Sequence, residues 1–341
     1  MIFSRNRSDD KKCTEPVPKN QYHIAMSSNE YIEIKTAGIL TTVQDTGRFG
    51  YQSSGMPVCG PMDPVSFQLA NILLGNAPDA ACLETTINGP AVVFHTDTSF
   101  VITGAHMEPK LNGADIPNNW VIKARQKDVL RLGFTKRGCR AYVAFQGGIE
   151  VPLVMGSRST YLAGNLGGYQ GRALRDGDTL PLGKDKGNPR SLPISAVWKD
   201  KLFSEDPIRI LPGPEAHFFG SPSIQKLLSA TFTIGANSNR MAYTLEGEQI
   251  PPLPGKTDII SAAVPTGTIQ VPANGTPLLL MADRQTSGGY PRIAVVCSAD
   301  ICRLGQKKPG DTISFREISL EEAQKRCIEQ SALLQSLSSK P

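Results

Sequence analysis

A mainly β fold, two β domains with a few short helices, is what this sequence predicts, and three observations predict it. Gly (32) and Pro (26) are plentiful while aromatic residues make up only 6% of the chain. Short alternating or apolar runs recur between Gly, Pro, Asn and Asp. Their spacing leaves little room for crossover helices, so it reads as sandwich or barrel rather than βαβ.

Residues 99–105, 129–134, 140–146, 208–211, 278–282, 292–297 and 312–315 each have strand length and turn residues at their ends. Three segments read as helices. Asp63-Pro64 supplies an N-cap and a proline at the first helical position, the apolar run 67–74 follows, and Gly75-Asn76 stops it. Ser221-Pro222 opens a shorter helix. Ser319-Leu320-Glu321-Glu322 is a capping box that starts a C-terminal helix over 319–337.

A short repeat helps to place the domains. Gly177-Asp178-Thr179-Leu180 and Gly310-Asp311-Thr312-Ile313 each lead a turn into an alternating strand, and Lys127-Asp128-Val129-Leu130 is a looser copy. The polar stretch 184–206 reads as a linker. The expected order is a disordered leader at 1–29, one β domain over 30–190, a second over 205–320, and the terminal helix. The length of 341 residues suits two domains.

Composition removes several function classes. The longest uncharged apolar runs, such as 277–282, fall far short of the roughly 20 residues that span a bilayer. The leader lacks the apolar core of a signal peptide, so a cytoplasmic location is expected. Net charge is +5, but Lys and Arg are scattered, which speaks against nucleic-acid binding. The seven Cys lie far apart with no C-x-x-C pair, as for reduced thiols, and none of the four His has metal-ligand spacing. Phosphate-loop, dinucleotide, nucleophile-elbow and zinc-protease motifs are absent.

Four polar, glycine-flanked clusters remain as places for chemistry, since sites favour loops on a rigid scaffold. In Val43-Gln44-Asp45-Thr46-Gly47-Arg48-Phe49-Gly50, Asp45 and Arg48 could recognise a carboxylate or amide, or simply pair across a turn. In Gly156-Ser157-Arg158-Ser159-Thr160-Tyr161 and the Gly-rich run 167–172, Arg158 and Arg172 could clamp an anion or face acidic neighbours. Ser238-Asn239-Arg240 follows the run 231–235. Asp283-Arg284-Gln285-Thr286-Ser287-Gly288-Gly289-Tyr290 follows the run 278–282 and is the most suggestive. Its carboxylate, amide, glycine pair and phenol could surround a planar amide or urea-like group. Asp283 could orient or deprotonate an N–H, and Tyr290 could donate to an oxyanion; a turn closed by Asp283 and Arg284 is the alternative.

These clusters resemble, in order and spacing, the family formed by the C subunits of 5-oxoprolinase. That family is also known as allophanate hydrolase subunit 2 and as the biotin-dependent carboxyltransferase region of urea carboxylase. The resemblance runs from Thr36 to Ala323. It includes Gly60-Pro61-Met62-Asp63, Leu83-Glu84, Gly147-Gly148-Ile149 and Gly267-Thr268-Ile269-Gln270-Val271-Pro272. Met241-Ala242 stands where the family usually has Met-Gly, and Ser287 where Thr is commoner.

The resemblance implies two cyclophilin-like β-barrel domains. It implies work with A and B subunits that use ATP, held on a partner, to open the lactam of 5-oxo-L-proline to L-glutamate. The alternatives it carries are carboxyl transfer from carboxybiotin to urea or a related amide, and non-catalytic sequestration of a B-subunit-like kinase inhibitor. The residues expected to matter are Asp283 and Tyr290 as catalytic groups. Gln285, Arg240, Asn239, Arg158, Gly288, Gly289, Asp45 and Arg48 are expected at the substrate.

Overall fold

The computed structural model describes residues 30–184, 187–190 and 202–338, so the expected leader and most of the expected linker lie outside the described residues. Strand Arg137–Phe145 organises the first half. Its Ala141, Val143 and Phe145 enter one core cluster, while Tyr142 and Ala144 enter another on the opposite face. Burial on both faces is why this segment reads as an unbroken apolar run.

It sits in a five-stranded sheet ordered Leu40–Gln44, Cys82–Thr86, Arg137–Phe145, Thr98–His106, Ile122–Ala124. One face packs on a six-stranded sheet that contains Tyr31–Thr36, Ala91–Phe94 and Val129–Arg131. Ile32, Ile34, Val92 and Phe94 meet Phe100, Ile102 and Val143 there. The other face carries the helix Pro64–Leu74, whose Phe67, Leu69 and Leu73 cover Val101 and Tyr142. Asp63 caps that helix through the N–H groups of Val65 and Ser66, and Gly75 ends it at φ 64°, as its sequence predicts.

The second half is a closed barrel. Strands follow one another as Ile208–Pro212, Arg292–Val296, Thr268–Gln270, Leu278–Leu280, Ala242–Glu246, Thr231–Ile234, Thr312–Glu317. The last closes on the first in parallel, with Ile208 opposite Phe315 and Ile210 opposite Glu317. Phe232, Tyr243, Ile269, Leu279 and Phe315 fill the interior. Helix Ser221–Ser229 opens at the expected Ser221-Pro222, with no side-chain cap, and Leu320–Ser338 follows Ser319, whose hydroxyl accepts the Glu322 N–H at 3.2 Å. A short helix, Ile301–Gly305, has no forewarning in the sequence.

The short repeat is one turn used three times. Asp128, Asp178 and Asp311 each accept, through a carboxylate oxygen, the N–H three residues back, at 2.8, 2.7 and 2.9 Å. Each then donates its own N–H to that same residue's carbonyl. Two further backbone bonds clip the turns to Phe94, Ile34 and Ile234 respectively. Lys127, Gly177 and Gly310 hold the left-handed conformation that the turn needs. Among the described residues no helix is long and apolar enough to cross a membrane, and the six described cysteines are free thiols.

Candidate active site

The first two clusters meet in the first half. Val43 and Gln44, expected in a loop, end strand Leu40–Gln44, and the loop begins at Asp45. Asp45 is buried and accepts from the hydroxyls of Ser157 and Ser159, both at 2.6 Å, and from the Arg158 N–H at 2.5 Å. Arg48 is also buried; its Nε donates to the Val154 carbonyl at 3.0 Å and its Nη2 to the Ser159 carbonyl at 2.9 Å. The two residues therefore hold the 157–159 loop rather than each other. The Arg48 Nη1 and Gln44 Oε1 are buried without a protein partner.

The two candidate clamp arginines turn to acidic neighbours. Arg158 donates to Glu150 at 2.8 Å and to the Val151 carbonyl at 3.0 Å. Arg172 makes a two-pronged bond to Asp178 at 2.7 and 2.8 Å.

The last two clusters meet at the barrel mouth. Arg240 grips Asp283 with Nε at 3.0 Å and Nη2 at 2.9 Å, and both residues are buried. Its Nη1 donates to Glu84 and its Nη2 also reaches the Gly60 carbonyl at 2.6 Å. Burial works against the guanidinium charge, but Asp283 and Glu84 outweigh it and hold Arg240 firmly protonated.

Around this buried grip lies an exposed lip. Gln285 and Asn239 are exposed, and the Tyr290 ring is 43% exposed. Gln270, buried on the barrel wall, braces the lip: its Nε2 donates to the Tyr290 carbonyl at 3.0 Å and its Oε1 accepts from Gln285 at 3.3 Å. A β-carbon at Gly288 would meet that Nε2 at 2.6 Å and push the amide from these bonds. Gly289 accepts from the Ile259 N–H at 2.8 Å. The Arg284 Nε donates to the Val264 carbonyl at 2.8 Å, and burial lowers its hold on its proton.

One short loop joins the two pairs of clusters. Val58 accepts the Arg48 N–H at 2.7 Å, and Gly60 accepts from Arg240. Between them Cys59 sits at φ 61° with its side chain buried. Burial, with help from the Asp283 charge, pushes its thiol up to about 12, against the pull of Arg240 and Arg48. Burial, then the charges of Cys59 and Asp283, raise the Tyr161 hydroxyl. Cys59 and Glu84 stand at this junction but in none of the four sequence clusters, and Tyr161 lies in the second with no role assigned to it there.

Glu84 ties the site to the seam between the halves. Its Oε2 accepts from the Met62 N–H at 2.9 Å and the Tyr142 hydroxyl at 2.7 Å. Tyr142 in turn accepts the Asp63 N–H at 2.8 Å, and Asp63 accepts Gln306 Nε2 from the second half at 2.7 Å. Burial pushes the Asp63 carboxyl up to about 6, although Ser66, Gln306 and Val65 all donate to it. A raised acid binds its proton more tightly when folded, so its contribution to stability is full below the unfolded value and fades as pH rises through about 6. Urea midpoints of wild type and Asp63→Asn, taken from pH 4 to pH 7, are expected to show this fall in wild type only.

A two-sheet half and a closed barrel sharing one buried ion triad make a two-part scaffold of the carboxyltransferase type. The chain belongs to that family: residues 54–317 match the carboxyltransferase domain, subdomain A and B. The C subunit of Escherichia coli 5-oxoprolinase is 41% identical over 294 residues, which cover 86% of this chain and 93% of that one. The urea amidolyase of Saccharomyces cerevisiae is 34% identical over 323 residues, covering 90% of this chain but 18% of that one. The crystal structure of Kluyveromyces lactis urea carboxylase matches with a TM-score of 0.84 at 31% identity, covering 90% of this chain and 29% of that one.

Proposed function

We propose that this chain is the C subunit of an ATP-dependent 5-oxoprolinase that opens the lactam of 5-oxo-L-proline to L-glutamate together with A and B subunits in the cytoplasm. The observation that carries this reading is the near end-to-end match to the 5-oxoprolinase C subunit, 93% of whose length is covered. The urea amidolyase matches instead take up a small part of much longer chains.

The site chemistry fits. Water adds to the lactam carbonyl carbon, the C–N bond breaks, and the nitrogen takes a proton to become the amine of glutamate. Tyr290 and Gln285 at the lip offer an O–H and an N–H toward the carbonyl oxygen as negative charge develops there. Asp283, fixed by Arg240, orients the ring N–H and serves as its proton acceptor or donor. Asn239, Gly288 and Gly289 shape the lip. Asp45, Arg48 and Arg158 act at one remove, by holding the 157–159 loop and Cys59 beside Asp283. ATP, bound by a partner, is cleaved with a second water to ADP and phosphate, and that cleavage drives the opening. Phe49 and Leu153, 65% and 58% exposed on adjoining loops, offer an apolar face beside the site for that partner.

The test is ATP-dependent release of glutamate from 5-oxo-L-proline by the three-subunit assembly. Activity is expected to require this chain and to fall about a hundredfold in kcat with Asp283→Asn, the scale of a lost acid–base group. Full activity from the other two subunits alone would overturn the reading. A second reading, carboxyl transfer from carboxybiotin to urea or a related amide, is favoured by the urea carboxylase match. Binding of a biotinylated carrier, with no lactam opening, would select it. A cellular phenotype left intact by Asp283→Ala but abolished by a substitution at the subunit contact would instead favour pure sequestration of a B-like partner.

A further inference from the structure

We propose that Glu84 is a positioning residue for the site: from the first half of the chain it fixes Arg240, and through Arg240 it fixes the Asp283 carboxylate at the barrel mouth. This deepens the reading of the 283–290 loop as the substrate end.

The geometry leaves Arg240 little other role. Its Nε and Nη2 are taken by Asp283, its Nη2 also by Gly60, and its Nη1 by Glu84. With all three nitrogens engaged and the side chain buried, it presents no open fork to a substrate anion. What it does is transmit position from one carboxylate to the other, since a guanidinium is a rigid planar fork.

Glu84 is well anchored for that task. It lies in strand Cys82–Thr86, paired on one side with Thr42 and on the other with Tyr142. Its second oxygen is held by the Met62 N–H and the Tyr142 hydroxyl. The Asp283 carboxylate is thereby tied to an inner strand of a five-stranded sheet in the other half of the molecule. Without Glu84, the Arg240 that grips Asp283 would be held from the first half by the Gly60 carbonyl alone.

The charges give a signature that plain packing would not. One guanidinium serves two carboxylates, so the triad carries a net negative charge. On the Asp283 side it interacts electrostatically with Arg284, Cys59 and Tyr161. On the Glu84 side it interacts with Tyr142, Arg140, Tyr243 and Cys139. Glu84→Gln keeps the shape, removes one negative charge, and leaves Arg240 to balance Asp283 alone. The Asp283 carboxylate then sits in a changed field, which a neutral packing change would not produce.

Two measurements test this. In the assembled enzyme, Glu84→Gln is expected to lower kcat about tenfold or more with KM little changed, as a displaced reacting group does. Glu84→Asp, which keeps the charge, is expected to recover part of that loss. In the full chain alone, carbon-13 spectra of labelled aspartate follow the Asp283 carboxyl resonance, assigned with Asp283→Asn. That resonance is expected to move in Glu84→Gln and to return toward its wild-type position in Glu84→Asp. An unmoved resonance, or a kcat that falls only in step with the folded fraction, overturns the proposal. An inactive wild-type assembly with a moved resonance would instead overturn the oxoprolinase reading and leave the role of Glu84 standing.

Discussion

Arg240→Ala is expected to destabilise the folded chain by about 3–5 kcal/mol, read as a drop in the urea midpoint. The substitution leaves Glu84 and Asp283 buried with no cation between them, and the Gly60 carbonyl loses a donor. Deleting one member of a buried ion group is costly because the charges left behind are neither hydrated nor paired. Those orphaned charges are then the cause of the loss. Adding Glu84→Gln and Asp283→Asn to Arg240→Ala is therefore expected to recover part of the stability, a non-additive result that neighbours in one network produce. A loss under about 1 kcal/mol, as for an exposed ion pair, would show that water reaches the triad.

Gly305→Ala is the second large effect, at about 3 kcal/mol, the upper end of the overpacking range. A β-carbon there would lie 2.3 Å from the Met62 carbonyl oxygen and 2.9 Å from the Asp63 nitrogen. Both are backbone atoms and cannot swing aside. Relief requires helix Ile301–Gly305 to retreat from the first half, and Gly305 also accepts Arg140 Nη1 at 2.7 Å. Its neighbour Gln306 would be drawn away from Asp63 and from the Cys139 and Arg140 N–H groups. Activity is expected to fall with stability, because the same retreat strains the Glu84–Arg240 contact. Gly310→Ala is the control. Unlike Gly305, it demands a left-handed backbone, at φ 88°, but it finds open space, so only the conformational cost of about 1–2 kcal/mol applies. Equal midpoints for the two variants would contradict a steric origin.

The sequence made the β character legible wherever apolar runs are clean. The run 140–146 overlaps strand Arg137–Phe145, and 208–211 falls within Ile208–Pro212. It hid strands that bury polar side chains. In Leu40–Gln44 and Cys82–Thr86 the buried residues include Thr41, Thr42, Gln44, Glu84 and Thr85; Thr41 bonds Thr85 and Gln44 bonds Thr42, each at 3.1 Å. A polar residue in a strand pattern looks like loop until its partner is known. For Glu84 the partner is 156 positions away, so no local pattern shows it. The one local hint is a carboxylate set among Cys, Leu and two Thr, where a surface strand would alternate differently. The clusters themselves are visible as loops. That they converge on Cys59 and Asp283 depends on a seam between halves that no spacing reveals.

The parallel closure of the barrel has a consequence for how such a chain travels between proteins. Because Ile208–Pro212 and Thr312–Glu317 lie side by side, the chain enters and leaves the second half at one stave boundary. The entry at Ile208 and the exit at Glu317, opposite Ile210, point to opposite rims but lie near each other, so the unit can be spliced into a longer polypeptide without unstitching its hydrogen-bonded wall. The same architecture can then stand as a separate polypeptide or ride as a cassette within an enzyme several times its length.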